Sequence, residues 1–456
     1  MSILSNALSG SNAAQAALNT TSQNIANLQT KGYTRQGVLL NAVAPGIGMK
    51  TAGMGVEIGG LLRFSDAYKN QQMWRAASDL GSHSQTQPYL SQMERVMGDD
   101  KSSLSNGVDQ FFKALNAAGV DPTSTPLRQQ VVTAANSMSQ HFNSIYNVTA
   151  NQRLSVRQQR DALLPAMNQN MANIASLNER IAGASAVGTN TSALVDERDM
   201  AIDTLASMVA IEVIDQPDGS RSVSLRSGQP LVVGNLYGNI GIDGTSGAPV
   251  LSLTFGQSKF ALDDTKVGGQ MGGLSDYDKN VLLPLQTSIR DMAEQMADKL
   301  NTQLAAGFDT AGNPGKPLFA FNATSTTGML QIDPAFLASD LAFSADGTPG
   351  DSANLQLLID IKNQPVTLTS IGSVLLGDAD TQLVGKLGID SQQNQALLKT
   401  ATTIRQQSED DWKSTSGVNQ DEEAINLMEF QNMYQANMKV IAVANSLFDA
   451  TLAMFN

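Results

Sequence analysis

No cysteine occurs in the 456-residue chain, which excludes disulfides, thiol nucleophiles and cysteine-ligated zinc. Only two imidazoles are present, His83 and His141. They lie far apart in sequence, His141 beside a helical apolar face, so packing or solvent roles are expected rather than catalysis. Basic residues are scarce and scattered: 29 Lys and Arg stand against 42 Asp and Glu, a formal net charge of -13. Phosphate recognition needs clustered cations, so nucleic-acid binding is not expected. Long apolar runs are missing as well. Nothing approaches the ~20 consecutive apolar residues of a membrane-spanning helix, so no membrane insertion is expected. The first charged residue is Lys31, and Ser, Asn and Gln interrupt the apolar positions before it, which argues against a cleaved secretory signal. Aromatics make up only 5% of the chain, but 41% hydrophobic residues and 38 glycines fit a soluble globular protein. The length suits roughly two to four domains.

Charge is also missing from both ends. The first thirty residues carry no charged side chain, and from Val440 onward only Asp449 is charged. In the first segment Leu4, Ala7, Ser11, Ala14, Leu18, Thr21, Ile25 and Leu28 alternate steps of three and four, the seam of a coiled-coil-like helix. Gly32 is placed to stop it, and Tyr33, Thr34 and Arg35 read as extended chain. Near the other end Leu427, Tyr434, Ile441, Phe448 and Phe455 recur every seven residues, flanked by Met433, Val440, Leu447 and Met454. Asn419 followed by Glu422 reads as a capping box, with Asp421 and Glu423 adding negative charge at the positive end of the helix dipole. The bland reading of these ends is a two-helix coiled coil completing a core. A solvated helix normally carries a charged outer face, however, so both helices are expected to be buried in an assembly.

Between the ends lie more helical patterns. Leu127, Val131, Ala134, Met138 and Ile145 share one face, and Met167, Met171, Ile174, Leu177 and Ile181 another, with Pro126 at a start and Pro165 at a break. Leu285, Ile289, Met292, Met296, Leu300 and Leu304 mark a further helix, and 381–413 one more. From Val209 the period becomes two, as in Ile211-Glu212-Val213 and Val223-Ser224-Leu225 around a Pro217-Asp218-Gly219 turn. A second β-rich stretch includes Val366 to Leu376.

No residues support enzyme chemistry. Phosphate-binding loops, nucleophile elbows and H-E-x-x-H motifs are missing. Glu409-Asp410-Asp411 and Asp421-Glu422-Glu423 could be proposed as metal or acid/base carboxylates. The first is better read as a solvated helical run and the second as cap and dipole neutralisation. Asp309 through Gly315 lacks the alternating ligands of a calcium loop and reads as a turn. No cofactor or metal is expected.

Two terminal motifs carry a resemblance. Asn24-Ile25-Ala26-Asn27 with Thr30-Lys31-Gly32-Tyr33-Thr34-Arg35, and Ser416-Gly417-Val418-Asn419, Asp421-Glu422-Glu423, Phe430-Gln431, Tyr434, Ala436-Asn437 and Ala444-Asn445 through Phe448-Asp449-Ala450, resemble the ends of bacterial flagellar axial proteins. That class contains rod, hook and hook-associated proteins. Leu194-Val195-Asp196-Glu197-Arg198-Asp199, running to Ile211-Glu212-Val213, and Ala306-Gly307-Phe308-Asp309 with Gly312 are similar to the hook-associated subfamily at the hook–filament junction. The resemblance implies a structural subunit exported unfolded by the flagellar type III apparatus. It implies as partners further copies of the chain, the hook protein, the second junction protein and a cytosolic export chaperone on the C-terminal helix. The place implied is the extracellular flagellum. Residues 321–351 are short compared with longer members, which insert an outer domain there. Asp196 to Asp199 could form an ionic contact between subunits, but reads better as the exposed turn of a helix, since surface ion pairs contribute only ~0–1 kcal/mol.

The expected fold is α+β and multidomain, with long terminal helices paired as a coiled-coil-like stalk, a helical middle domain and a β-rich outer domain. The expected boundaries are 1–35 with 418–456 for the stalk, 36–208 with 274–306 and 377–417 for the helical part, and 209–273 with 307–376 for the β-rich part. The assembly interface is expected at Leu4, Leu18, Ile25, Leu28, Leu427, Tyr434, Met438, Ile441, Phe448 and Leu452. Asn24, Asn27, Gly32, Tyr33, Arg35, Asn419, Glu422, Glu423, Asn437 and Asn445 form the family signature. Another axial protein is the nearest alternative, and a secreted adhesin or hydrolase a more distant one.

Overall fold

Helix α1 (Ile3–Ala26) pairs with the chain's last helix, and everything else lies between them in sequence. The computed structural model describes residues 3–44, 53–244, 250–325 and 328–454, so Phe455 of the heptad series lies outside the described residues. The expected N-terminal helix ends early. Residues 27–32 form turns rather than a last helical turn, and Gly32 supplies the left-handed conformation at φ 78° that closes them. Tyr33 to Arg35 are extended, as expected, and lead into an antiparallel hairpin of β1 (Gln36–Ala42) and β2 (Val56–Arg63).

Helices α2 (Ala67–Met97), α3 (Leu104–Ala118) and α4 (Thr125–Ala186) follow. Pro126 sits in the first turn of α4, where its missing N–H costs nothing. Pro165 does not break that helix: it is carried inside 62 continuous residues. Its neighbours on the apolar face, Leu163 and Met167, are buried, and that packing offsets one lost backbone bond. Next come α5 (Ser192–Met208) and the strands β3 (Ile211–Asp215), β4 (Arg221–Leu225), β5 (Pro230–Val233), β6 (Leu236–Tyr237), β7 (Asn239–Asp243), β8 (Val250–Phe255) and β9 (Ser258–Ala261). β3 to β6 form one sheet in sequence order and β7 to β9 another. Ile211 pairs with Leu225 and Val213 with Val223, so the alternating residues share the buried face as their spacing requires.

The second half has α6 (Gly269–Asp276), a π-helical turn at Tyr277–Leu282, α7 (Leu283–Ala305), the hairpin β10 (Phe319–Phe321) with β11 (Leu330–Ile332), α8 (Ala353–Asp360) and the hairpin β12 (Pro365–Leu368) with β13 (Gly372–Leu375). Helices α9 (Ala379–Ser416) and α10 (Gln420–Ala453) complete the chain. All six residues of the expected α7 face, from Leu285 to Leu304, are buried.

The chain divides into two compact units. One comprises Met1–Ser78, Ala166–Leu262 and Thr402–Asn456, so both terminal helices, the β1–β2 hairpin, α5 and strands β3 to β9 belong together. The other comprises Asp79–Pro165 and Asp263–Ala401. Its core holds Phe111 edge-on to Phe112 and Phe319, with ring centroids 5.4 and 6.0 Å apart. In this division strands β1 and β2 and the first β region, β3 to β9, are grouped with the terminal helices. His83 bonds Asn394 Oδ1 at 2.8 Å and His141 bonds the Ser103 carbonyl at 3.0 Å, both within the second unit. Asp309 closes its own turn by accepting from the Ala311 and Asn313 N–H groups at 2.8 Å.

Candidate assembly interface

Small residues bring the terminal helices together. Ala7, Ser11, Ala13, Ala14, Ala17, Thr21 and Asn24 are the buried positions of α1, while Leu4 and Ile25 stay exposed and Leu18 and Leu28 half-buried. The close approach is explicit at Gly10, where a Cβ would lie 2.6 Å from the Asn437 Oδ1 atom. The Ser11 hydroxyl points at the Met438 sulfur, 3.8 Å away. On α10 only Glu423 is fully buried; Met433, Tyr434, Asn437 and Ile441 are half-buried against the partner helix. Leu427, Met438, Val443, Leu447, Phe448 and Leu452 remain exposed. At the free end Ile3, Leu4, Ala444, Asn445, Leu447, Phe448 and Thr451 line an open apolar cleft of about 700 Å³.

The N-terminal signature residues tie these helices to the rest of the unit. Asn24 uses its full hydrogen-bonding capacity. Its Nδ2 donates to the Gln36 carbonyl at 2.8 Å and to Glu423 Oε2 at 3.1 Å, and its Oδ1 accepts from the Tyr33 hydroxyl at 2.9 Å and the Gln36 N–H at 3.1 Å. Burial, with the negative charges of Asp196 and Glu423 behind it, pushes the Tyr33 hydroxyl up to about 12. Gly32 lies against Met200, and a Cβ there would fall 2.5 Å from the thioether. Asn27 donates to the Gln23 carbonyl at 2.9 Å and accepts from the Thr30 hydroxyl at 3.1 Å, holding the turns after α1. Asn419 caps α10, accepting from the Asp421 and Glu422 N–H groups. The expected reciprocal half of the capping box is replaced, because the Glu422 carboxylate pairs with Arg35. Arg35 also stacks over Phe64 at 4.5 Å.

The stretch Asp196 to Asp199 corrects an expectation. It is not an exposed helical turn: Asp196 and Arg198 are buried, and only Glu197 faces solvent. Arg63 reaches it from β2, donating from Nε to Asp196 Oδ1 at 2.9 Å and from Nη2 to Asp199 Oδ2 at 3.0 Å. The other Asp196 oxygen accepts the Thr34 N–H at 3.1 Å. Arg221 pairs with Asp199 and, at 2.5 Å, with Asp215. Arg198 donates to Asn178 Oδ1 at 3.1 Å and to the Gly219 carbonyl at 2.7 Å. Burial raises the Asp196 carboxyl against the opposing pull of Arg63, and burial beside Arg221 lowers Arg198 to about 10. Arg63, Asp196, Arg198, Asp199 and Arg221 therefore meet in a desolvated ionic cluster, with Asp215 at its exposed edge. Removing Arg63, Asp196, Asp199 or Arg221 leaves a buried partner uncompensated, at a cost of about 3–5 kcal/mol. Arg63, Asn178 and Arg221 carry no pattern that marks them in the sequence, since their partners are assembled only by folding.

Among the described residues no group of three His, Asp or Glu side chains is placed to hold a metal ion, and no helix is long and apolar enough to cross a membrane. What this unit offers is surface: a helix pair clamped at one end by polar contacts and left apolar along one side.

Comparison with known proteins decides its class. A family model for the flagellar hook-associated protein FlgK helical domain matches residues 90–319. The chain belongs to the flagellar hook-associated protein FlgK family. Models for the flagella basal body rod protein and for the C-terminal part of the basal body rod FlgEFG proteins match residues 4–34 and 414–454, the two segments that form the helix pair. The flagellar hook-associated protein 1 of Salmonella typhimurium is 26% identical over 557 aligned positions, covering 99% of each chain. That of Escherichia coli is 26% identical over 549, also at 99% of each, and that of Bacillus subtilis 26% over 487. The solved flagellar hook junction protein FlgK from Burkholderia pseudomallei superposes with a TM-score of 0.52 at 27% identity, over 56% of this chain and 47% of that one. Members of the FlgK family are structural flagellar proteins, and this chain is one of them rather than an enzyme.

Proposed function

We propose that the chain is a structural subunit of the junction between flagellar hook and filament, and that its terminal helices build it into the polymer. The carrying observation is the α1–α10 pair. One side of α10 is covered by small residues of α1, while Val443, Leu447, Phe448 and Leu452 stay exposed, each at half or more of its surface. Burying such a side chain contributes about 1.5–3 kcal/mol, so the pair gains more by packing against neighbours than by standing in water.

On this reading Leu4, Leu18, Ile25 and Leu28 of α1, with Leu427, Tyr434, Met438, Ile441, Phe448 and Leu452 of α10, make the contacts within the stalk and between copies. The hook protein lies on one side of the ring and the second junction protein on the other. A cytosolic chaperone covers the apolar side of α10 before export, and the type III apparatus delivers the chain to the extracellular flagellum. Against the alternative of another axial protein, such as the hook or the second junction protein, stands the FlgK match over residues 90–319, which the two terminal matches alone do not supply.

Cells lacking the gene provide the test. Electron micrographs are expected to show hooks without filaments, with flagellin lost to the medium; intact filaments would overturn the junction role.

A further inference from the structure

The β1–β2 hairpin carries a second unpartnered apolar surface that the terminal helices do not explain. Its register sets Gly37 opposite Leu62, Leu39 opposite Gly60 and, beyond a bulge, Asn41 opposite Glu57. Residues 37, 39 and 41 alternate onto one face, so Leu39, Leu62 and Glu57 share it. Leu39 and Leu62 are 49% and 47% exposed. On α10, Lys439 is exposed and is followed at steps of four by Val443 and Leu447, which are 60% and 57% exposed. Among the described residues neither Glu57 nor Lys439 has an ion-pair partner.

The two surfaces match in spacing as well as in chemistry. Along the hairpin the Leu39 row lies about 7 Å from the Glu57 row and the Leu62 row about 14 Å from it. Along α10, Val443 lies about 6 Å and Leu447 about 12 Å from Lys439. Each surface thus presents one unpaired charge followed by two aliphatic side chains at nearly equal intervals, and the charges are opposite. The surfaces are also different from each other, so the hairpin of one copy can take α10 of the next. Made in one direction only, such a contact propagates into rings or helical arrays, whereas a reciprocal pair would close a two-fold dimer.

We propose that this face of the hairpin docks on α10 of a neighbouring copy of the chain, with Glu57 meeting Lys439 of the partner subunit and Leu39 and Leu62 covering Val443 and Leu447 of the partner subunit. The inference rests on the junction reading and adds to it a contact outside the helix pair. Made one way, from each copy to the next, it gives the assembly a direction, and a ladder longer than dimers distinguishes that arrangement from a reciprocal pair.

The cysteine-free sequence makes the test specific. In cells whose only copy carries Leu39→Cys and Val443→Cys, oxidation of isolated flagella is expected to link the chain into a ladder longer than dimers. Either substitution alone is expected to give no ladder. Glu57→Lys or Lys439→Glu alone is expected to lower the fraction of hooks bearing filaments about tenfold, and the two together to restore it. No ladder from the double-cysteine chain when it is present in the flagella, or charge reversals that the double variant fails to rescue, overturns the hairpin contact and leaves the junction reading standing. Absence of the unmodified chain from isolated flagella would instead sink the junction reading itself.

Discussion

Asn24 and Glu423, 399 positions apart, are joined by a 3.1 Å hydrogen bond buried where the first helix of the chain meets the last. The same amide holds the Gln36 backbone through its N–H and carbonyl, so one side chain fixes the helix pair and the entry to the hairpin together. Asn24→Leu strands those groups without partners, and unsatisfied buried polar groups cost about 1–3 kcal/mol each. Asn24→Asp keeps the shape but removes the donors and sets a second carboxylate beside Glu423. Thermal unfolding should show both variants destabilised at pH 8. At pH 5 Asn24→Asp should recover part of its loss, because protonation returns a donor, whereas Asn24→Leu should not.

At Gly32 two requirements coincide. Its φ of 78° is a conformation that non-glycine residues reach at a cost of about 1–2 kcal/mol. A Cβ would also press on the Met200 thioether. Gly32→Ala is therefore expected to lower stability by about 2–4 kcal/mol in denaturant titrations. Adding Met200→Ala should relieve the contact but not the backbone. Partial recovery by the pair is the expected result, and complete recovery would show that the φ angle costs nothing.

Elements with a single strong period were legible in the sequence. Met167, Met171, Ile174, Leu177 and Ile181 are all buried, and Ile211 and Val213 face inward. The N-terminal seam was legible in period but not in content. Alanine, serine and threonine make the close contact there, and the leucines counted as seam residues sit at its margins, because a tight crossing selects for small side chains. The β1–β2 hairpin was hidden because leucines fall on both faces, Leu39 and Leu62 on one and Leu40 and Leu61 on the other, so its alternation is weak. Asp196 to Asp199 was misread for a different reason. A charge run looks the same whether solvated or buried, and Arg63, which decides the matter, lies 133 positions away.

Tyr33 gives the helix pair a pH dependence at the alkaline end. Its hydroxyl is raised from 10 to about 12 by burial and by the nearby carboxylates. A group with a raised folded value contributes stability that is full below the unfolded value and is lost as pH rises through the folded one. The unit should therefore weaken between pH 10 and about 12 relative to Tyr33→Phe. At neutral pH Tyr33→Phe should itself cost about 1 kcal/mol, since its bond to Asn24 Oδ1 is lost. Parallel stability–pH curves for the two proteins above pH 10 would show that the hydroxyl is not protected in the fold.

Ile441 and Phe448 separate pairing within a chain from packing between chains. Ile441 is half-buried against α1, whereas Phe448 is 65% exposed at the apolar cleft. Ile441→Asp places a charge inside the helix pair and should loosen both the pair and the assembly. Phe448→Asp meets solvent in the isolated chain, so the purified variant should melt within about 0.5 kcal/mol of the unmodified protein. In the assembly the same carboxylate would be desolvated without a partner, a penalty of several kcal/mol per copy. Cells carrying Phe448→Asp are expected to secrete a stably folded chain and bear hooks without filaments. Normal motility in those cells would show that the exposed side of α10 is not an assembly surface, whatever Ile441→Asp does to the pair.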